Sequence, residues 1–122
     1  MLNLKRYTFP KTIKLKKNRE FKNVYNIGKV YVEKYAILYI LPNDGLPSKV
    51  GFAVGKKLGN AVLRNSMKRK MREVFRHTQH NILSGYNLVW VARKPLINKN
   101  LEIYYQVFER ILKKGQVYRI EG

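Results

Sequence analysis

The spacing of apolar and polar residues divides the chain into alternating helical and extended segments. Phe21, Val24 and Tyr25 fall at i, i+3 and i+4 and predict a short helix over 18–26, with Asn18 as its cap and Gly28 closing it. Such a trio serves equally as core or as a ligand-facing edge, and here two of the three are aromatic. From 30 to 41 the pattern becomes VYVEKYAILYIL, rich in β-branched and aromatic residues, and predicts a strand. Along it Val32, Ala36, Leu38 and Ile40 point one way and Tyr31, Tyr35, Ile37 and Tyr39 the other. The tyrosine face has polar tips, which suits contact with something wet. Pro42, Asn43, Asp44 and Gly45 make a turn. A second strand over 49–55 alternates bulky Val50, Phe52 and Val54 with small Gly51, Ala53 and Gly55. A bare strand face of that kind lets a backbone or a ligand approach closely.

The stretch 56–76, KKLGNAVLRNSMKRKMREVFR, organises the rest. Gly59 frees the backbone and Asn60 caps the helix that follows. At about 100° per residue, Leu63, Met67, Met71, Val74 and Phe75 share an apolar arc. Arg64, Asn65, Lys68, Arg69, Arg72 and Arg76 share the other, roughly 140° wide. A solvated helix face mixes charge signs, because Glu–Lys pairs at i,i+4 stabilise it. This one carries a single acid, Glu73. An arc so basic repels itself unless a polyanion lies against it. The helix should end near 78–81; a short apolar strand over 87–93 has the character of a central strand buried on both sides, and a last helix starts at Asn98 or Asn100 and closes at Gly115. The order is helix, two strands, long helix, strand, helix, an α+β fold of one sheet with helices.

Composition sharpens this picture. The 122 residues are 45% hydrophobic, enough for the core of one compact domain and too few for two. Against 26 Lys and Arg stand 7 acids, a net charge of +19 that implies a phosphate-rich partner or an anionic membrane. No apolar run approaches a membrane span and no apolar signal core follows the basic N-terminus, so neither a membrane partner nor a secretory signal is expected. Residues 1–14 carry Lys5, Arg6, Lys11 and Lys14 with Pro10 among them, and read as either a flexible basic arm or a frayed terminus ahead of one domain over 15–122.

Catalytic constellations are missing from the sequence. There is no cysteine, hence no thiolate nucleophile or thiolate metal site. The acids Glu20, Glu33, Asp44, Glu73, Glu102, Glu109 and Glu121 do not pair at a spacing that suits a two-metal nuclease. His77 and His80, at i,i+3, lack a third ligand and suit the helix C-terminus. No glycine-rich phosphate loop is present, so no organic cofactor is expected.

The run Lys56 to Arg69, KKLGNAVLRNSMKR, resembles the signature of the bacterial ribonuclease P protein subunit, with the family's Arg-Asn-Arg motif present as Arg64, Asn65 and Ser66. The resemblance continues in 15–21 (LKKNREF), in 50–54 (VGFAV) and in 92–95 (ARKP), in the right order and spacing over about 15–118. It implies a four-stranded sheet with three helices, similar to the second domain of ribosomal protein S5, with a left-handed βαβ crossover against the usual hand. Pattern alone yields three strands, so the fourth would lie within 30–41 or in a loop nearby.

In that family a large RNA subunit, using bound Mg2+, removes the 5′ leader of precursor tRNA in the cytoplasm, and the protein binds the leader and aids metal occupancy. No obligate protein partner is implied, and the resemblance leaves open whether the protein itself supplies a metal ligand. Carried over by position, Lys56, Lys57, Arg64, Asn65, Lys68, Arg69 and Arg72 would contact the RNA subunit or sit near the chemistry. Phe21, Tyr25, Tyr39, Ala53, Lys57 and Tyr118 would line the leader cleft. The residue patterns agree: aromatic side chains, a bare strand and a basic rim make a groove for single-stranded RNA. Ser66 departs from the motif's second arginine and removes its fork of donors; Ala53 and Gly55 stand where serines are frequent, and Tyr25 where phenylalanine is common. A ribosomal RNA-binding protein of similar fold and an autonomous metal-dependent ribonuclease are the alternatives, and dependence of cleavage on an added RNA separates them.

Overall fold

The computed structural model describes residues 13–15 and 18–119. In chain order the elements are β1 (Ile13–Lys14), α1 (Asn18–Ile27), β2 (Lys29–Val32), β3 (Ala36–Pro42), β4 (Lys49–Ala53), α2 (Ala61–Thr78), β5 (Tyr86–Ala92) and α3 (Leu101–Lys114). One mixed sheet has the order β1-β4-β5-β3-β2, a four-stranded sheet extended at one edge by the two residues of β1. Residues 13 and 14, counted with the arm on sequence grounds, are therefore part of the sheet; 1–12 lie outside the described residues. β4 and β5 are parallel neighbours joined through α2, while β3 pairs antiparallel with both β5 and β2.

The stretch 30–41 is not one strand. It breaks at Glu33–Tyr35 and folds back as the β2–β3 hairpin, which supplies the fourth strand. The reversal exchanges faces: Tyr31 now lies opposite Leu38, and Val32 opposite Ile37. Tyr31 and Tyr35 thus pack toward the main core, and of the expected tyrosine face Tyr39 is the one tyrosine that remains on the other side, with Ile37.

The two sheet faces are covered unequally. On one, α2 and α3 bury Leu38, Val50, Leu88 and Trp90 beneath Met67, Met71, Tyr104 and Phe108. Trp90 stacks on Phe108 at 4.0 Å and 13°, and Phe52 packs edge-on to both Trp90 and Phe75. Truncating such a ring costs about 3–5 kcal/mol. On the other face α1 alone covers the sheet, and Leu15, Val24 and Val89 form a small buried cluster with Phe21, Tyr39, Leu41, Ala53 and Val91 at its rim. α1 begins at Asn18 itself, one residue earlier than a cap at that position would have it.

Helix ends follow the sequence closely elsewhere. Asn60 accepts a hydrogen bond from the Leu63 amide at 2.9 Å and Asn100 one from Ile103 at 3.0 Å, each satisfying an orphan N–H of a first turn. Gly59 has φ +157°, and a Cβ there would lie 2.5 Å from Leu63 Cδ2. Glycine is thus needed where the chain turns into α2.

Candidate nucleic-acid interface

The partly covered sheet face forms a groove. The β registers place Gly51, Val89 and Tyr39 in one row, and Ala53, Val91 and Ile37 in the next. α1 lies over the first row. Gly51 is buried because Phe21 occupies its bare face, with Cζ 2.5 Å from where a Cβ would stand. The expectation of an open strand therefore holds only in part: what approaches Gly51 closely is the Phe21 ring of α1, and Ala53 in the second row stays half-exposed.

Three rings make the wall. Phe21 and Tyr25 are 6.4 Å apart along α1, and Tyr25 meets Tyr39 edge-on at 4.8 Å and 83°. Val24, between them in sequence, is fully buried and anchors the helix. Tyr25 remains 38% exposed, an aromatic edge left in water beside a half-buried floor. Burial, then the neighbouring Tyr39, raises the Tyr25 pKa above its ordinary value, so the ring stays neutral while it offers a face for stacking. Glu20 is paired with Lys49 at 2.8 Å at the near end of the floor.

The groove opens toward the loop that joins β4 to α2. Lys56 and Lys57 occupy a single 3-10 turn there and are exposed. Arg64 reaches back, its Nε donating to the Gly59 carbonyl at 3.1 Å, which ties the first turn of α2 to that loop. Met67, Met71, Val74 and Phe75 are buried, so helical geometry turns Asn65, Lys68, Arg69 and Arg72 outward. α3 packs on the opposite flank of α2, where Lys70 lies 5.8 Å from the Tyr104 ring centre and His77 is hydrogen-bonded to the Tyr105 hydroxyl. The stripe therefore runs along the edge of the molecule away from α3.

Electrostatically the stripe is left open. Among the described residues the ion pairs form elsewhere: Glu33 with Arg110 and Lys114, Glu109 with Lys113, and Glu20 with Lys49. Glu73 pairs with Arg76 at 3.0 Å, and that hydrogen bond holds its carboxyl below the usual carboxylate range. Arg76 is thereby neutralised, whereas no carboxylate among the described residues pairs with Lys56, Lys57, Arg64, Lys68, Arg69 or Arg72.

The structure thus gathers Phe21, Tyr25, Tyr39 and Ala53 on one face, with Lys57 beyond its open end. It does not bring Tyr118 there. That ring packs against the core cluster of the opposite face, accepts a hydrogen bond from Asn81 Nδ2 at 3.3 Å, and lies beneath Lys113. Its distance from the groove has a plain cause, since the chain after α3 returns beside Ile82 on the α2 side. The second row is floored by Ile37, which the sequence places on the tyrosine face but not in the cleft, and by Val91, which the sequence does not single out. Their parity with Tyr39 and Val89 was visible; their pairing was not.

Comparison with known proteins adds an independent finding. A family model described as Ribonuclease P matches residues 9–116. The chain is 42% identical over 112 residues to the ribonuclease P protein component of Clostridium botulinum strain Eklund 17B, covering 86% of this chain and 90% of that one. With the protein component of Caldanaerobacter subterraneus subsp. tengcongensis the identity is 37% over 108 residues, covering 88% and 93%. Among solved structures, the RNase P protein of Staphylococcus aureus superposes with a TM-score of 0.79 at 31% identity, covering 87% of this chain and 97% of that one. That of Thermotoga maritima gives 0.76 at 28% identity, covering 89% and 98%.

Proposed function

The chain belongs to the ribonuclease P protein family, and on that premise we propose how it serves as the protein subunit of the ribonucleoprotein that removes the 5′ leader of precursor tRNA. The RNA subunit is the catalyst; the protein grips the leader in the α1 groove and docks on the RNA subunit through the α2 stripe. The observation that carries this reading is the Phe21–Tyr25–Tyr39 wall on one sheet face together with a row of α2 cations that no carboxylate among the described residues pairs. Unpaired bases stack on aromatic faces with little regard for sequence, and lysines follow the phosphates. The α2 arginines present fixed forks of donors that suit phosphate oxygens two at a time, and they release counterions on contact.

The proposed division of labour leaves metal binding to RNA. Among the described residues no three acid or imidazole side chains gather to hold a metal. Mg2+ would be held by the RNA subunit and the substrate, where it stabilises the developing charge of phosphodiester hydrolysis. This chain's own groups bind and orient: Tyr25 and Tyr39 hold the leader, and Lys56, Lys57 and Arg64 bring positive charge beside the RNA without supplying a base. By lowering the repulsion between leader and catalytic RNA, that charge reduces the magnesium required and broadens the substrates accepted.

The test is 5′-end processing of a labelled precursor tRNA at low magnesium. Protein alone, a ribonuclease P RNA alone, and both together are compared. Cleavage in the mixture and in neither component supports the reading. Cleavage by the protein alone refutes it.

A further inference from the structure

Exposed apolar side chains concentrate at one corner of the groove. Among the described residues six large hydrophobics are exposed, and four of them, Tyr25, Ile27, Val30 and Val32, lie at the end of α1 and on β2. Val30 is opposite Tyr39 and Val32 opposite Ile37, so both valines stand on the groove's own face, at 48% and 51% exposure. The second floor row therefore runs Ala53, Val91, Ile37, Val32 across the four main strands. Three strand spacings make that row about 14 Å long.

The hairpin that carries this corner is held rigidly. The Glu33 carbonyl accepts from Arg93 Nη1 at 2.7 Å, and its carboxylate accepts from Arg110 Nε at 2.8 Å and lies 3.6 Å from Lys114 Nζ. Lys114 also donates to the Val32 carbonyl at 3.4 Å. One acid thus fixes the tip between β5 and α3, a surface ordered before any ligand arrives. Two exposed cations lie near it: Lys22, three residues before Tyr25 and on the same side of α1, and Lys34 at the tip, whose Nζ rests 5.3 Å from the Tyr35 ring centre within a side chain's swing of the edge.

We infer that the single strand continues past Tyr25 and Tyr39 onto the β2 edge, its bases against Val30 and Val32 and its phosphates toward Lys22 and Lys34. This rests on the groove being the leader site. Charge selects the occupant: a chain of net charge +19 repels a second copy of itself and attracts a polyanion.

The test is precursor binding by the holoenzyme over a ladder of leaders, each one nucleotide longer than the last. Wild-type affinity rises until the leader spans the β2 edge. With Val30→Asp and Val32→Asp together, the rise stops earlier and the longest leaders bind about tenfold more weakly, the scale of one lost base contact. Should the aspartates unfold β2, Val30→Thr with Val32→Thr keeps the β-branching and carries the same test, with about a threefold loss. An unchanged length dependence in the folded variants overturns the inference. Tyr39→Ala in parallel separates the two ideas: if it weakens binding of every leader the groove stands and only its extension fails, and if it is silent the groove reading itself fails. A free protein that dimerises in sedimentation, and loses the dimer on Val30→Asp with Val32→Asp, would show a second copy on this corner and overturn the inference as well.

Discussion

Phe21 fits over the bare backbone of Gly51: a Cβ at position 51 would lie 2.5 Å from the ring's Cζ and 2.6 Å from its Cε1. The ring that anchors α1 to the sheet is also the first ring of the groove wall. If the groove holds the leader as proposed, stability and leader binding are coupled through that one contact.

Gly51→Ala should therefore move Phe21 off the sheet. Overpacking of this kind costs about 1–3 kcal/mol, read as a lowered urea midpoint. Precursor affinity should fall with it while affinity for mature tRNA is retained. A variant with wild-type precursor affinity would separate Phe21 from the leader.

Truncating Phe21 and Tyr39 together removes two stacking surfaces. Precursor binding by the holoenzyme should weaken by about 1–3 kcal/mol for each base lost, with mature tRNA nearly unaffected. Equal losses on both substrates would mean that the groove contacts the body of the tRNA.

Arg64→Ala should weaken assembly with the RNA subunit and raise the magnesium needed for processing. The slope of log affinity against log salt should shrink by about one unit, the signature of one lost phosphate contact. Arg64→Lys keeps the charge and the slope but loses the fork of donors and the Nε–H that holds the Gly59 carbonyl. Its deficit, measured as affinity at fixed salt, isolates the part played by geometry.

Tyr104 gives a pH prediction. Its ring is buried, its hydroxyl has no hydrogen-bond partner among the described residues, and burial pushes its pKa up to about 12. The folded state holds a proton that the unfolded chain releases near 10, so stability is full below pH 10 and falls as pH rises from 10 toward 12. Tyr104→Phe should flatten that fall in denaturation curves and, by removing a buried unpaired hydroxyl, add about 1 kcal/mol at neutral pH. An unchanged alkaline slope would refute the assignment to Tyr104.

Much of the local structure follows from the chain itself. The 3.6-residue spacing of Met67, Met71, Val74 and Phe75 sets which flank of α2 is buried and leaves Arg69 and Arg72 in solvent with Lys68 half-exposed beside them. Asn60, Gly59 and Asn100 mark helix starts because their requirements are satisfied within a few residues. The excess of cations is likewise a property of composition, and with it the choice of a polyanionic partner.

Pairing and faces were decided only in three dimensions. A strand's alternation tells which residues share a face but not where the strand reverses, so the turn at 33–35 exchanged Tyr31 with Val32 and left Tyr39 alone beside Tyr25. Small residues in β4 announce that something approaches; that it is Phe21 over Gly51, with Ala53 left open, depends on how α1 crosses the sheet. Tyr118 lies on the far face because the chain after α3 returns beside Ile82. Contacts between residues far apart in sequence carry no local periodicity, and the groove is made almost entirely of such contacts.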